Sequence, residues 1–255
     1  DIFKRINNLF VSAFDDHTTI NGYHILAQDG SDVNIPFMDD KTKTEKHDAK
    51  SFCQYHVNAL YDCLNKVFYD WSIDAASKKR EVNALISILK DRNYPQKSIF
   101  TADRGYESYN LMAHFIENDI KFVIRVKDIH TKVGLMTNVR TEEGAFDMRI
   151  NRTLTSLQTK EIKADKEKYI FVPTTSNFDF LDETRDFYDL SFRAVRFKIS
   201  EDVYETVVTN LSEEEFGTDD FKELYHYRWN EETAFNKLKY TIGLVYFHAR
   251  KRKLI

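Results

Sequence analysis

Apolar residues in the first segment recur at helical spacing: Ile2, Ile6, Leu9, Phe10 and Phe14 share one side of a helix over residues 2–14. Asn21-Gly22 breaks the pattern, and Tyr23–Asp29 (YHILAQD) reads as a mostly buried strand that ends at Gly30. The polar, lysine-rich KTKTEKHDAK, residues 41–50, reads as an exposed loop. Residues 54–61 and 66–73 form two strands around a turn near Asp62–Asn65, a hairpin. Val82, Leu85, Ile86 and Leu89 then predict an amphipathic helix over 77–91, with Ser77 suited to its N-cap. After Pro95, Ser98–Asp103 (SIFTAD) is a strand that stops at Gly105. A helix follows from about Ser108, with Leu111, Met112, Phe115 and Ile116 on one face, and Lys121–Val126 is another strand.

That order predicts a mixed sheet with parallel crossovers, an α/β core. From 127 to 212 the pattern changes to period two, as in Leu190, Phe192 and Ala194 and then Val195, Phe197 and Ile199, and reads as a β-rich insertion. Helical spacing returns from about Thr218 to Tyr240, and a basic tail (His248, Arg250, Lys251, Arg252, Lys253) closes the chain. The expected organisation is a first part of the core at 1–126, the insertion at 127–212 and a C-terminal helical part of the core at 213–255.

Composition narrows the class. The 255 residues can bury one large core, and the 31% charged and 42% hydrophobic content is that of a globular chain. Phe (20) and Tyr (14) are abundant while Gly (7) and Pro (3) are scarce, which favours long elements over a turn-rich sandwich. No apolar run approaches the ~18 residues of a membrane span, and no charged-then-apolar leader opens the chain. Cys53 and Cys63 lack the paired spacing of a zinc site and read as reduced thiols of a cytosolic protein. The net charge of −4 runs against nucleic-acid binding, although carboxylates that bind metal would contribute to it. A start at Asp1 and an end at Lys253-Leu254-Ile255 suggest a piece of a longer protein.

Two acids stand at expected strand ends, Asp29 and Asp103, where residues of an α/β sheet converge on a ligand-binding edge. Like charges there call for a cation between them. The alternative is that each caps a turn or the following helix, and Asp32 competes with Asp29 for the first position. Farther on, at 100° per residue, Tyr225, Arg228, Glu232 and Lys239 fall within roughly one-sixth of a helix circumference. Leu224, Tyr227, Ala234, Phe235 and Leu238 form the adjoining packing stripe, on which Glu231 also falls. The polar face is either a solvated one carrying an i,i+4 Arg228–Glu232 pair or a carboxylate beside phosphate-gripping groups.

Tyr225-x2-Arg228-x3-Glu232-x6-Lys239 resembles the Tyr-Arg-Glu-Lys signature of bacterial cut-and-paste insertion-sequence transposases, members of the DDE class with a ribonuclease H-like fold. Asp29-Gly30-Ser31 and Ala102-Asp103-Arg104-Gly105-Tyr106-Glu107 are similar to the same group, and the β-rich stretch before the Glu suits it. The resemblance spans about Tyr23 to the end. It implies that Asp29, Asp103 and Glu232 hold two divalent cations, Mg²⁺ with Mn²⁺ as an alternative, about 3.5–4 Å apart. It further implies nicking, hairpin formation, reopening and joining of a 3′ end to target DNA. Tyr225, Arg228, Lys239 and, more weakly, Arg104 would contact DNA phosphates. The implied partners are double-stranded DNA and a second copy of the chain, in a bacterial cytoplasm and on the nucleoid. The sequence departs from the family at Glu231, a position that is usually apolar, and the family's N-terminal DNA-recognition region is expected to be absent or trimmed to 1–20. The rival readings are another ribonuclease H-like nuclease and a truncated element product without catalysis.

Overall fold

The computed structural model describes residues 2–13, 16–37, 42–46, 49–76 and 80–243, so Phe14, Ser77 and the basic tail lie outside the described residues. The mixed α/β class expected from the sequence is present. The chain forms two compact units, residues 1–98 with 226–255 and residues 99–225. None of the described helices is long and apolar enough to cross a membrane.

In the first unit α1 (Ile2–Ser12) precedes four strands, β1 (His24–Ile35), β2 (Lys43–Lys46), β3 (Ala49–Asp62) and β4 (Val67–Ala75). β3 pairs antiparallel with β1 on one side and with β2 and β4 on the other. The β3–β4 hairpin turns at Asp62, whose carboxylate accepts the amides of Leu64 and Asn65, while Lys66 takes a left-handed φ of 61°.

Two expectations are corrected here. β1 does not end at Gly30 but runs to Ile35, because Val33 and Ile35 keep the inward alternation and β3 pairs with every residue from Leu26 onward. The lysine-rich segment contains β2, whose backbone pairs with the start of β3.

α2 (Glu81–Asp91) buries Leu85, Ile86, Ile88 and Leu89 and ends at Arg92, whose left-handed φ of 51° closes the helix. Near the C-terminus the single helix expected to Tyr240 is three pieces. α5 (Asp220–Tyr227) and α6 (Trp229–Asn236) flank Arg228, and Lys237–Thr241 is a π-helical turn closed by the Ile242 amide on the Lys237 carbonyl at 3.0 Å.

The second unit is built on β5 (Ser98–Ala102), α3 (Tyr109–Glu117) and β6 (Lys121–Val126), a parallel crossover. Ser108 caps α3 by accepting the Leu111 amide, and all five residues of β5 are buried. The stretch 127–212 holds β7 (Phe146–Thr155), the short α4 (Lys160–Ala164), β8 (Tyr169–Phe171), β9 (Phe187–Ser200) and β10 (Val203–Thr209). β10 pairs with β6, so these strands continue the sheet in the order β5-β6-β10-β9-β7-β8.

Two buried arginines in this unit are each matched to a carboxylate and to backbone carbonyls. Arg193 donates to both carboxylate oxygens of Asp147 and to the carbonyls of Ser212 and Phe216. Arg196 donates to both oxygens of Asp128 and to the carbonyls of Glu143 and Gly144.

Candidate functional site

Asp29 lies mid-strand in β1, opposite Ala59 of β3. Its Oδ1 accepts the Gly30 amide at 2.8 Å, and its own amide donates to Oε1 of Glu231 at 3.1 Å. α6 is therefore fastened to β1 at the candidate acid itself. Glu231 is completely buried, its Oε2 has no hydrogen-bond partner, and burial first, then the charge of Asp29, pushes its carboxyl well above the ordinary 4.5.

Its neighbour behaves differently. Glu232 has a side chain 40% exposed and accepts from Nη2 of Arg228 at 2.9 Å, the i,i+4 pair foreseen in the sequence. Arg228 is itself buried and lies 4.9 Å from the Trp229 ring.

Lys239 follows α6 on the π-helical turn, where rotation is no longer 100° per residue, so its expected angular place does not carry over. Burial lowers its ammonium, while Asp32 and Asp29 oppose that shift, so it stands within the field of both acids.

On the adjoining face of β1, Gly30 gives room to His56. A Cβ at Gly30 would stand 2.4 Å from His56 Nε2 and 2.8 Å from Glu81 Oε1. His56 Nδ1 contacts Asp32 at 2.6 Å, and Nε2 contacts Glu81 and Asn58, each at 3.2 Å. His56 and Glu81 were not singled out from sequence. The signal available was a His inside an expected strand, and the structure pairs it across the sheet with Asp32.

Behind Glu231, Cys63 is a buried free thiol, pushed well up by burial and by Glu231, so it is inert as a nucleophile. Its carbonyl accepts from Nδ2 of Asn230, a second tie between α6 and the strands.

The remaining sequence candidates belong to the second unit. Asp103 caps the 3₁₀ turn Arg104–Tyr106, its Oδ1 accepting the Gly105 amide at 2.6 Å. Arg104 is exposed. Tyr225 is buried, and the Arg125 guanidinium lies 5.6 Å from its ring centre.

Among the described residues no three His, Cys, Asp or Glu side chains are gathered as around a metal ion. The Asp29–Glu231 pair nonetheless fits a hard cation. Both are oxygen donors, adjacent like charges favour a cation, and one buried carboxyl oxygen has no other partner.

The sequence matches the family model described as "Transposase DDE domain" over residues 20–254. No curated protein matches it. Among solved structures, a cryo-EM structure of piggyBac transposase in a synaptic complex with hairpin DNA aligns at 10% identity and a TM-score of 0.46. That alignment covers 86% of this chain and 40% of the other, so the chain spans less than half of that transposase. DDE transposase domains use divalent metals. On the family match the conclusion is direct: the chain belongs to the DDE transposase domain family.

Proposed function

We propose that this chain is the catalytic part of a cut-and-paste DNA transposase of the insertion-sequence type, cleaving a DNA strand and joining its 3′ end to target DNA. The observation that carries this reading is the meeting of α6 with Asp29 on β1, with Lys239 in the field of Asp29 and Asp32. An acid face with an adjacent lysine suits a scissile phosphate, whose charge needs both a cation and an ammonium.

Asp29, Asp103 and Glu232 are the proposed metal carboxylates, Glu232 by the spacing of the signature and the two aspartates by the segments 29–31 and 102–107. Bound divalent cations would supply an activated hydroxyl and charge stabilisation of the leaving oxygen. The protein's own part is positional. Gly30 keeps β1 slim where His56 and Glu81 press on it, and Glu231 and Asn230 fasten α6 to the strands. Arg228, held by Glu232 in the free protein, and Lys239 are the proposed phosphate contacts, with Tyr225 and Arg104 as further ones. Double-stranded DNA and a second copy of the chain are the proposed partners.

The test is joining. With Mg²⁺ or Mn²⁺, the protein is expected to nick DNA and to transfer a supplied 3′-hydroxyl end into a target plasmid. Asp29→Asn, Asp103→Asn and Glu232→Gln are each expected to lower both by about a thousandfold. Hydrolysis without joining would instead mark a simple nuclease, and neither activity would mark a product without catalysis.

A further inference from the structure

We infer that Glu231 is a second glutamate of the metal-binding face, holding the main chain of Asp29 with Oε1 and supplying Oε2 as a ligand to a divalent cation bound by Asp29. This rests on the metal-dependent reading above and deepens it.

Glu231 occupies a packing position. Ala234 and Phe235 of the same stripe are buried, and Phe235 lies 6.1 Å, ring centre to ring centre, from Phe68 of β4. An apolar side chain would fill such a place at no electrostatic cost, whereas a carboxyl without full hydrogen bonding is costly to bury.

The carboxyl is not passively buried. One oxygen is committed to the amide of the residue proposed as the first metal ligand, at 3.1 Å. The other is buried and has no hydrogen-bond partner. The buried Arg228 guanidinium, close enough to act on Glu231 electrostatically, donates to Glu232.

A buried carboxyl oxygen beside a second acid has an obvious chemical complement, an oxygen-seeking divalent cation. Mg²⁺ and Mn²⁺ keep several waters and need only one or two carboxylates from the protein. The two neighbouring glutamates would then divide the work. Glu231 reaches inward to β1, and the partly exposed Glu232 holds the buried Arg228.

Mn²⁺ binding to the full chain, followed by calorimetry and by the paramagnetic signal of free Mn²⁺, separates the possibilities when combined with metal-free melting. Glu231→Gln and Glu231→Leu are expected to weaken Mn²⁺ binding by about tenfold or more, with Glu231→Leu melting no lower than the parent without metal. Parent-like Mn²⁺ affinity in both variants would overturn the inference and leave Glu231 a packing residue. Weak binding in Glu231→Leu alone would also overturn the ligand role, because Gln still accepts the Asp29 amide. Asp29→Asn is the control. If it too binds Mn²⁺ like the parent, the metal reading of the whole face falls. If Asp29→Asn binds weakly while the Glu231 variants do not, only the present inference falls.

Discussion

One site in each unit shows opposite treatments of buried charge. In the second, Arg193 and Arg196 each meet both oxygens of one aspartate and two backbone carbonyls. In the first, Glu231 is equally buried yet faces a second acid and leaves one oxygen unmatched. Folding alone explains the first arrangement, since buried charges are tolerable when paired and hydrogen-bonded. It does not explain the second. A mismatch maintained at the junction of α6 and β1 is where a fold gives up stability for chemistry.

The largest expected effect breaks the matched side. Arg193→Leu strands Asp147 and two carbonyls, and should cost about 3–5 kcal/mol in denaturant unfolding. If it proves neutral, the second unit's network is not what holds β7 and β9 together. Next comes Gly30→Ala, whose Cβ would collide with His56 and Glu81 and should cost about 1–3 kcal/mol.

The pH dependence of metal-free stability should then carry opposite signs in the two units. The Asp147 carboxyl is lowered below 3.8, first by the hydrogen bonds from Arg193, so its stabilisation is present above that value and lost as pH falls through the folded one. The Glu231 carboxyl is raised, so the folded state binds the extra proton, and its contribution declines as pH climbs from 4.5 toward the folded value. Glu231→Gln should therefore gain melting temperature relative to the parent as pH rises, while Asp147→Asn should lose least at acid pH. Parallel curves for Glu231→Gln and the parent would count against the raised carboxyl. The smallest effect is on the exposed partner: Glu232→Gln should change stability by less than about 0.5 kcal/mol, even though the proposed chemistry depends on it.

Much of this arrangement was legible in the sequence where local pattern decides structure. The hairpin turn at Asp62–Asn65, the helix start near Ser108 and the strand before Asp103 depend on neighbouring residues and turn chemistry. The placing of Glu231 on the packing stripe was also legible, and its burial agrees with that placing. What could not be read depends on long-range pairing. Asp29-Gly30 carries a turn signal that pairing with β3 overrides. β2 is hidden in a lysine-rich stretch because its strand comes from backbone pairing with β3 rather than from an apolar pattern. The break at Arg228 and the π-helical turn beyond it follow no residue-level signal, and the turn removes the constant angular step that had grouped Lys239 with the other three.

That π-helical turn has a consequence of its own. A five-residue loop of backbone closes where an α-helix would close four, so residues 237–241 carry one residue more than the helix before them requires. The surplus is slack in the chain. Lys239 sits on this turn, beyond the part of α6 where Asn230 and Glu231 are tied to Cys63 and Asp29. Shortening this segment by one residue would take up the slack and turn Lys239 to another face of the helix.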